Sequence, residues 1–262
     1  MKIDVNGLKI NYEVSGQTGG PWVILSHSLA CNLHMWDPQV KALENSCRVL
    51  RYDTRGHGRS DAPQGPYSLD MLGADAVGLL DALRIDTAHW VGLSMGGMIG
   101  QFLALNYPQR LKGLVLCDTG PLMPDEAQPI WQARIDEARK GGMAARLKTT
   151  FEDWFTPELL KQNPPVLKAI QKQFLATPVE GYVGCIEAIR KLNYIDRLNE
   201  IHIPTLIMVG KEDFGTPVEV SQIMHAMISD STLVVLPAAA HLSSVAQPEA
   251  FNTALLDFLK AH

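Results

Sequence analysis

Apolar residues follow two different patterns along the chain. Near the N-terminus, residues 3–14 alternate between apolar and polar on both sides of Asn6-Gly7, a dipeptide typical of tight β-hairpin turns. Further along, apolar residues form short runs without alternation, at 22–25, 48–52, 88–91, 114–117, 205–209 and 233–236. Such runs favour strands that are covered on both faces, as in a parallel sheet. The sequence therefore predicts a hairpin followed by six buried strands.

Helical patterns separate these runs. Between residues 72 and 83, and again between 251 and 259, apolar side chains recur at every third or fourth position, which places them on one face of a helix. Pro217 and Pro248 begin such segments, and proline is favoured at the first position of a helix. Strands that alternate with helices predict an α/β fold with a doubly wound, mostly parallel eight-stranded sheet. Ligands bind such sheets at the carboxyl ends of the strands.

Residues 120–198 show no convincing strand pattern. Their helical patterns fall at 128–140, 144–155, 157–174 and 179–192, separated by Gly, Pro and Asn. A helical insertion between two strands would lie over the strand ends, so we expect a core of residues 1–119 and 199–262 and a helical cap of residues 120–198. Trp131 and Trp154 of this cap are candidate substrate contacts in a mostly apolar pocket, although aromatic side chains more often serve packing.

The composition limits the kinds of molecule that the protein is expected to bind. The chain is 46% hydrophobic and 19% charged, as in ordinary globular proteins, and no apolar run approaches the ~20 residues that a membrane span needs. The net charge of −5 comes without a basic cluster, so we expect neither a nucleic-acid nor a membrane partner. The N-terminus lacks the apolar region of a signal peptide, which predicts a cytoplasmic location. A small-molecule substrate is the expected partner, and a homo-oligomer is possible.

The four cysteines do not point to a metal. Their spacing lacks the paired pattern of zinc ligands, and in a chain of 262 residues they are expected to be reduced thiols. Cys31 lies near a loop expected at the site, but a small buried thiol is the simpler role. We therefore expect neither a metal nor a cofactor.

Ser94 is the candidate nucleophile. It stands in Val91-Gly92-Leu93-Ser94-Met95-Gly96-Gly97, with an apolar strand pattern before it and a helical pattern after it. A strand that turns directly into a helix strains the residue at the turn, and glycines on either side make room for it. The motif alone is short, and its glycines also suit a helix packed tightly on a sheet. The strand before it and the helix after it favour the nucleophile.

A serine nucleophile needs a base and an acid that orients the base. His241 lies in a loop of small residues after the last predicted strand, and Asp213 follows the preceding strand. The order Ser94, Asp213, His241 is the order found in α/β-hydrolases. Glu212 is an alternative acid and His57 an alternative base, although the glycine-flanked turn around His57 favours a structural role.

The oxyanion hole is expected from two backbone N–H groups. One belongs to the residue after the nucleophile, Met95, and the other to the loop after the third strand, where Leu29 is the candidate. Removing one donor from such a hole typically lowers turnover by about 10²–10³. These two peptide groups are therefore expected to matter as much as the side chains.

The sequence resembles the α/β-hydrolases, and among them the 3-oxoadipate enol-lactonases over nearly the whole chain. The resembling stretches are residues 25–29, 32–38, 51–58, 92–97, 153–157, 181–185 and 240–243. Of these, Leu33-His34-Met35-Trp36 and Trp154-Phe155-Thr156-Pro157 discriminate best, since the other motifs occur in many esterases. The resemblance implies a serine hydrolase that opens an enol-lactone ring to a 3-oxo dicarboxylate in bacterial catabolism of aromatic acids.

Several residues are candidates for substrate preference. The pair His27-Ser28 in the oxyanion loop differs from the His-Gly that is usual in the superfamily and from the Asn-Ser that is typical of the enol-lactonases. Ala246 stands five residues after the histidine, where the family often has glutamate. A carboxylated substrate needs a cation, for which Arg134, Arg190 and Lys191 are candidates, although each also suits a solvated helix face. The alternatives to a lactonase are a broader carboxylesterase or perhydrolase with the same triad, and a ligand-binding or receptor module on a hydrolase fold.

Overall fold

Eight strands form one sheet in the computed structural model of the protein, which describes residues 1–262. The strands are β1 (Lys2–Val5), β2 (Leu8–Gly16), β3 (Trp22–Ser26), β4 (Arg48–Tyr52), β5 (Ala88–Leu93), β6 (Leu111–Cys117), β7 (Thr205–Gly210) and β8 (Ser231–Leu236). Their order is β1-β2-β4-β3-β5-β6-β7-β8, antiparallel at β1–β2 and β2–β4 and parallel elsewhere. The α/β fold with a mostly parallel eight-stranded sheet is confirmed.

Ten α-helices accompany the sheet. They are α1 (Asp37–Leu43), α2 (Leu69–Ala82), α3 (Met95–Asn106), α4 (Gln128–Trp154), α5 (Pro157–Gln162), α6 (Pro165–Ala176), α7 (Val179–Ile189), α8 (Val218–Met227), α9 (Ser243–Ala246) and α10 (Pro248–Ala261). Short 3-10 helices span Leu33–Trp36, Pro108–Arg110, Asp125–Ala127 and Ile195–Glu200. None of the helices is both long and apolar enough to cross a bilayer.

The segment between β6 and β7 contains α4 to α7 and no strand. Two of its helices differ from the sequence prediction. Residues 128–140 and 144–155 belong to one element, α4, which is kinked where Gly142 adopts φ 68°. The helix predicted over 157–174 is instead two, α5 and α6, because Asn163 is left-handed (φ 46°) and the two prolines that follow it have no N–H to continue the helix.

The two ends of this helical segment are hydrogen-bonded to each other where the segment leaves the sheet. The N–H of Met123 donates to the carbonyl of Leu192 (2.9 Å), and the N–H of Tyr194 donates to the carbonyl of Pro121 (2.7 Å). Elsewhere Gly181 of α7 meets the core so closely that a Cβ atom there would lie 2.0 Å from the carbonyl oxygen of Gly56. The segment is therefore fixed on the core at its base and along α7.

Candidate active site

Ser94 lies at a strained turn between β5, which ends at Leu93, and α3, which begins at Met95. Its φ of 53° and ψ of −112° are unusual for any residue other than glycine. The turn has room only because its neighbours lack side chains: a Cβ atom on Gly92 would lie 2.1 Å from the carbonyl oxygen of Gly96. The hydroxyl of Ser94 is thus presented at the carboxyl end of the central strand.

Ser94, His241 and Asp213 form a continuous hydrogen-bonded chain. His241 Nε2 lies 2.9 Å from Ser94 Oγ, and His241 Nδ1 lies 2.9 Å from Asp213 Oδ2. The carboxylate of Asp213 also accepts hydrogen bonds from the Thr216 hydroxyl (2.6 Å) and from the N–H groups of Gly215 (2.8 Å) and Thr216 (3.0 Å). It is Asp213, and not its neighbour Glu212, that the fold brings to the imidazole. Thr216 went unnoticed in the sequence.

The groups that contact Asp213 within this hydrogen-bonded chain of side chains favour its ionised form. Burial alone disfavours the imidazolium of His241, but the adjacent carboxylate more than compensates and raises the pKa of His241 above its ordinary value. Burial likewise opposes the charge on Asp213, while His241 and the Thr216 hydrogen bonds hold its pKa below the ordinary range. Asp213 therefore fixes the orientation of the imidazole and stabilises the imidazolium.

Two backbone N–H groups near Ser94 lack partners. Met95 is the first residue of α3, so its N–H has no acceptor within the helix. The N–H of Leu29 also has no hydrogen-bond partner, whereas the N–H of the next residue, Ala30, donates to His57 Nε2 (2.9 Å). The loop after β3 and the start of α3 are in contact, because a Cβ atom on Gly96 would lie 2.1 Å from the carbonyl oxygen of Ser26. Both free donors therefore belong to neighbouring segments.

His27 and His57 brace the loops beneath the site. The two nitrogens of His27 contact the carbonyl of Ser28 (2.7 Å) and the N–H of Thr54 (3.0 Å). Burial lowers the pKa of His27 to about 4, and burial together with His27 lowers the pKa of His57 to about 3. Both ring nitrogens of His27 are therefore occupied by partners within the protein. His57 is likewise occupied and is not placed to act on Ser94.

The loop after β3 also encloses Ser28. This residue is buried; its N–H donates to Met35 Sδ (3.4 Å) and its carbonyl accepts from the N–H of Cys31 (3.2 Å). Its backbone is therefore held within the loop that carries Leu29. Cys31 itself is a buried free thiol, as are the other three cysteines.

Arg134 of α4 is the candidate cation whose charge acts on His241. Its positive charge opposes the increase in the pKa of His241 that Asp213 and Asp118 cause. The guanidinium lies 4.6 Å from the ring centre of Trp131 and pairs with the exposed Asp153 (3.0 Å). The Trp131 indole N–H donates to Met123 Sδ (2.8 Å), which orients the ring. Trp131 and Arg134 thus form one stacked unit in the helical segment.

Arg190 and Lys191 lie at a different place. Arg190 donates to the side-chain oxygens of Gln128 (2.8 Å) and Gln132 (2.9 Å). Both basic residues line a cavity of about 390 Å³ at the base of the helical segment, and no residue of the Ser94 chain lines it. The structure does not bring these two candidates to Ser94.

Asp118 was missed in the sequence. It follows β6 directly and is fully buried; one carboxyl oxygen accepts from the N–H of Gly210 (2.8 Å), and the other accepts from the Ser243 hydroxyl (2.5 Å). The signal that would have found it is the one that found Asp213, a carboxylate close after the carboxyl end of a buried strand. No group of three or more His, Cys, Asp or Glu side chains is arranged to hold a metal ion.

Comparison with known proteins identifies the family. A model of the α/β-hydrolase fold matches residues 21–247. The chain belongs to the α/β-hydrolase family. It is 39% identical over 251 residues to 3-oxoadipate enol-lactonase 2 of Acinetobacter baylyi, an alignment that covers 96% of this chain and 93% of that one. It is also 32% identical to a putative carbamate hydrolase of Caulobacter segnis, with 96% of each chain covered.

Solved α/β-hydrolases have the same architecture. The enol-lactonase from Burkholderia xenovorans LB400 superimposes with a TM-score of 0.96 at 36% identity, covering 99% of this chain and 100% of that one. A thermophilic esterase from Thermogutta terrifontis gives a TM-score of 0.93 at 28% identity, covering 100% and 98%. The resemblance to α/β-hydrolases and enol-lactonases is confirmed, and the chain is an enzyme of the hydrolase class.

Proposed function

We propose that the protein opens a small carboxylated enol-lactone, of the 3-oxoadipate enol-lactone type, through an acyl-enzyme on Ser94. The observation that carries the proposal is the hydrogen-bonded chain from Ser94 through His241 to Asp213, with separations of 2.9 Å at both links. The free N–H groups of Leu29 and Met95 supply the expected oxyanion donors. The relatives named enol-lactonases support the choice of substrate class.

In the first step, Ser94 Oγ attacks the lactone carbonyl carbon while His241 Nε2 takes the hydroxyl proton. The negative charge that develops on the carbonyl oxygen is stabilised by the N–H groups of Leu29 and Met95, and Asp213 stabilises the imidazolium. The ring C–O bond then breaks, which leaves an ester on Ser94 and a tethered enolate. The enolate takes the proton from His241 Nε2, which returns the imidazole to its neutral form. An enolate is a better leaving group than an ordinary alkoxide, so it needs less help from protonation by His241.

In the second step, a water molecule gives a proton to His241 Nε2 and attacks the ester carbonyl carbon. The same two N–H groups stabilise the second oxyanion. The bond to Ser94 Oγ breaks, and the imidazolium returns the proton to the serine. The released product carries a new carboxylate, and its enol becomes the 3-oxo group.

The substrate carboxylate is assigned to Arg134. Its charge acts on His241, whereas Arg190 and Lys191 line another cavity. The neighbouring Trp131 gives a flat surface against which a planar ring packs. Residues 120–198 act in this proposal as a cap over the site, and the bond from the Leu242 N–H to the Trp154 carbonyl supports this placement, because it joins the segment to the loop of His241.

A carboxylesterase for uncharged esters is the second candidate. It is favoured by the pairing of Arg134 with Asp153, since a cation that is already neutralised attracts a substrate carboxylate less strongly. The two functions differ in whether the free carboxylate of the substrate is needed.

Turnover of three substrates separates these functions. We would measure kcat/KM for 3-oxoadipate enol-lactone, for its methyl ester and for an aryl acetate. The lactonase proposal expects the free acid to be preferred at least about tenfold over the ester, in line with the 1.4 kcal/mol that corresponds to one charge-assisted contact. Equal or better rates on the aryl acetate contradict the lactonase and leave the esterase.

A Ser94→Ala variant tests the chemistry itself. Loss of the nucleophile from such a triad lowers kcat by about 10⁴–10⁶, while substrate binding is retained. Binding of the lactone to the variant is measured by calorimetry. A wild-type protein that binds the lactone and hydrolyses none of the three compounds would instead be a binding module.

A further inference from the structure

Asp118 occupies the junction between the two loops that carry His241 and Asp213. It follows β6, has a left-handed backbone (φ 44°), and its N–H donates to the Met208 carbonyl of β7 (2.9 Å). A non-glycine residue adopts this conformation only when its surroundings hold it there. Asp118 is fully buried and makes no ion pair with a lysine or arginine. Burial of a carboxyl group without such a pair is costly, so its hydrogen bonds show what it does in the fold.

Its hydrogen bonds reach the base of each loop. Gly210, which donates to Asp118 Oδ1 (2.8 Å), ends β7 three residues before Asp213. Ser243 lies two residues after His241, and both its hydroxyl (2.5 Å) and its N–H (3.3 Å) donate to Asp118 Oδ2. A single carboxyl group therefore joins the loop of the acid to the loop of the base.

The two loops are also in direct contact at this place. A Cβ atom on Gly210 would lie 2.3 Å from the carbonyl oxygen of Ala240, the residue before His241. The backbone of β7 thus runs against the histidine loop without a spacer. Small displacements of either loop would change the distance between Asp213 and His241, and misplacements near 1 Å are known to cost about 10² in rate.

The ionisation of Asp118 is linked to that of Asp213 and His241. Burial and the neighbouring carboxylate of Asp213 raise the pKa of Asp118 to about 8, while His241, Ser243 and Gly210 act in the opposite direction. Asp118 in turn contributes to the raised pKa of His241, which Arg134 of α4 opposes. Burial, together with the charge of Asp118, raises the pKa of the Cys117 thiol on β6 well above its ordinary value. Protonation of His241 therefore favours the ionised form of Asp118, and the groups titrate together.

We propose that Asp118 is a positioning residue of the catalytic centre, which holds the loop of His241 against the loop of Asp213 and, in its ionised form, adds a second negative charge that favours the imidazolium. Its catalytic part rests on the proposed function of Ser94 and His241. Its geometric and electrostatic parts do not depend on the substrate. A carboxyl group that merely filled a polar space would stabilise the fold without affecting His241.

The first test follows His241 by NMR. The imidazole is titrated in the wild type, in Asp118→Asn and in Asp75→Asn, and its signals are assigned with a His241→Gln variant. Asp75 is the matched control, since it is also buried but pairs with Arg55 and does not act on His241. Asp118→Asn keeps the shape and removes the charge, so the pKa of His241 should fall by about half a unit or more. An equal pKa in wild type and Asp118→Asn overturns the proposal.

The second test measures positioning without the lactone. A fluorophosphonate labels an activated serine whatever the natural substrate is, so the rate of Ser94 labelling is compared in Asp118→Ala, Asp118→Asn and Ser243→Ala. Loss of the link should slow labelling by about 10–100-fold in the two alanine variants. Asp118→Asn should recover part of the rate, since its amide oxygen still accepts from the Gly210 N–H and its NH2 group can donate to the Ser243 hydroxyl, although it cannot accept from the Ser243 N–H. If Asp118→Ala does not fold, Ser243→Ala still removes the shorter of the two hydrogen bonds to Asp118 Oδ2.

These results separate the two proposals. If the lactone is not hydrolysed but labelling and the His241 titration respond to the variants as stated, the substrate assignment fails and the role of Asp118 stands. An unchanged His241 pKa in Asp118→Asn, or wild-type labelling rates in both Asp118→Ala and Ser243→Ala, overturns the role of Asp118 and leaves the proposed function intact.

Discussion

The N–H of Leu242, the residue after His241, donates a hydrogen bond to the carbonyl oxygen of Trp154 at the end of α4 (3.2 Å). The helical segment and the histidine loop therefore share a main-chain contact. The indole of Trp154 is buried and packs edge-on against Phe174 of α6, with ring centres 5.7 Å apart. The packing of the helical segment thus determines where the carbonyl that holds the histidine loop lies.

Trp154→Ala should consequently affect both stability and activity. Removal of a buried tryptophan costs about 3–5 kcal/mol, and the displaced end of α4 should lower kcat more than it raises KM. Thermal unfolding and steady-state kinetics measure the two effects. Leu175→Ala, on the exposed face of α6, is the matched control and should change neither. Normal kcat in a destabilised Trp154→Ala would show that the histidine loop does not depend on the helical segment.

The pH dependence of activity should reflect His241. The base acts as a neutral imidazole, so kcat/KM should fall as the pH drops through the pKa of His241, which lies above the ordinary value of 6.5. Asp213→Asn removes the charge that raises this pKa, so the acid limb should move to lower pH, and kcat should fall by about 10⁴ because the imidazole loses its orientation. A limb that stays in place in this variant would assign it to another group.

The stability of the folded state should depend on the same group. A histidine with a raised folded pKa contributes stability that is fully present below the unfolded pKa and is lost as the pH rises through the folded pKa. The free energy of unfolding of the wild type, relative to His241→Gln, should therefore decrease between pH 6 and the folded pKa. Urea denaturation at several pH values measures this difference, and a difference that grows with pH contradicts the raised pKa of His241.

Arg134→Gln should weaken binding of the carboxylated substrate. We expect KM for the enol-lactone to increase about 10-fold or more with kcat changed less than threefold, since a charge-assisted contact is lost in ground and transition states alike. Hydrolysis of an aryl acetate should be unaffected. Arg190→Gln is the matched control, because that guanidinium contacts Gln128 and Gln132 and lies in the other cavity. A larger effect from Arg190→Gln would move the carboxylate site.

His57→Ala should behave as a structural change. It leaves the buried N–H of Ala30 without an acceptor, a loss that typically costs about 1–3 kcal/mol, and it loosens the loop that carries Leu29. Activity should fall, but the midpoint of the acid limb should stay at the wild-type pH, because His57 is not the base. His57→Gln offers a replacement acceptor and should recover part of the stability. A shifted acid limb would restore His57 as a candidate base.

Much of this site is predictable from the sequence because its residues follow strands. Ser94, Asp213 and His241 each lie within five residues of the carboxyl end of a strand, and parallel strands bring their carboxyl ends together whatever the details of packing. The same rule applies to Asp118, which directly follows β6. The rule places a residue at the strand end and does not say what its side chain binds.

Other candidates depended on contacts that no local pattern encodes. His27 lies in the expected loop, but the N–H of Thr54 from the next βα loop occupies its ring. Arg134 lies on α4 and Arg190 directly follows α7, and only the packing of these two helices determines whose charge acts on His241. The break between α5 and α6 is marked by Asn163 and the prolines after it, yet the apolar spacing of residues 157–174 continues across it.

The two unpartnered N–H groups near Ser94 belong to the main chain, and this affects how the site changes over evolutionary time. A substitution at Leu29 or Met95 alters a side chain and leaves the donor in place, with proline as the sole exception. Selection for these donors therefore acts on the path of the backbone, through residues such as Gly92 and Gly96 whose lack of a side chain allows that path. Positions 29 and 95 are free to drift within the limits of packing, and a conserved hole does not require conserved residues there.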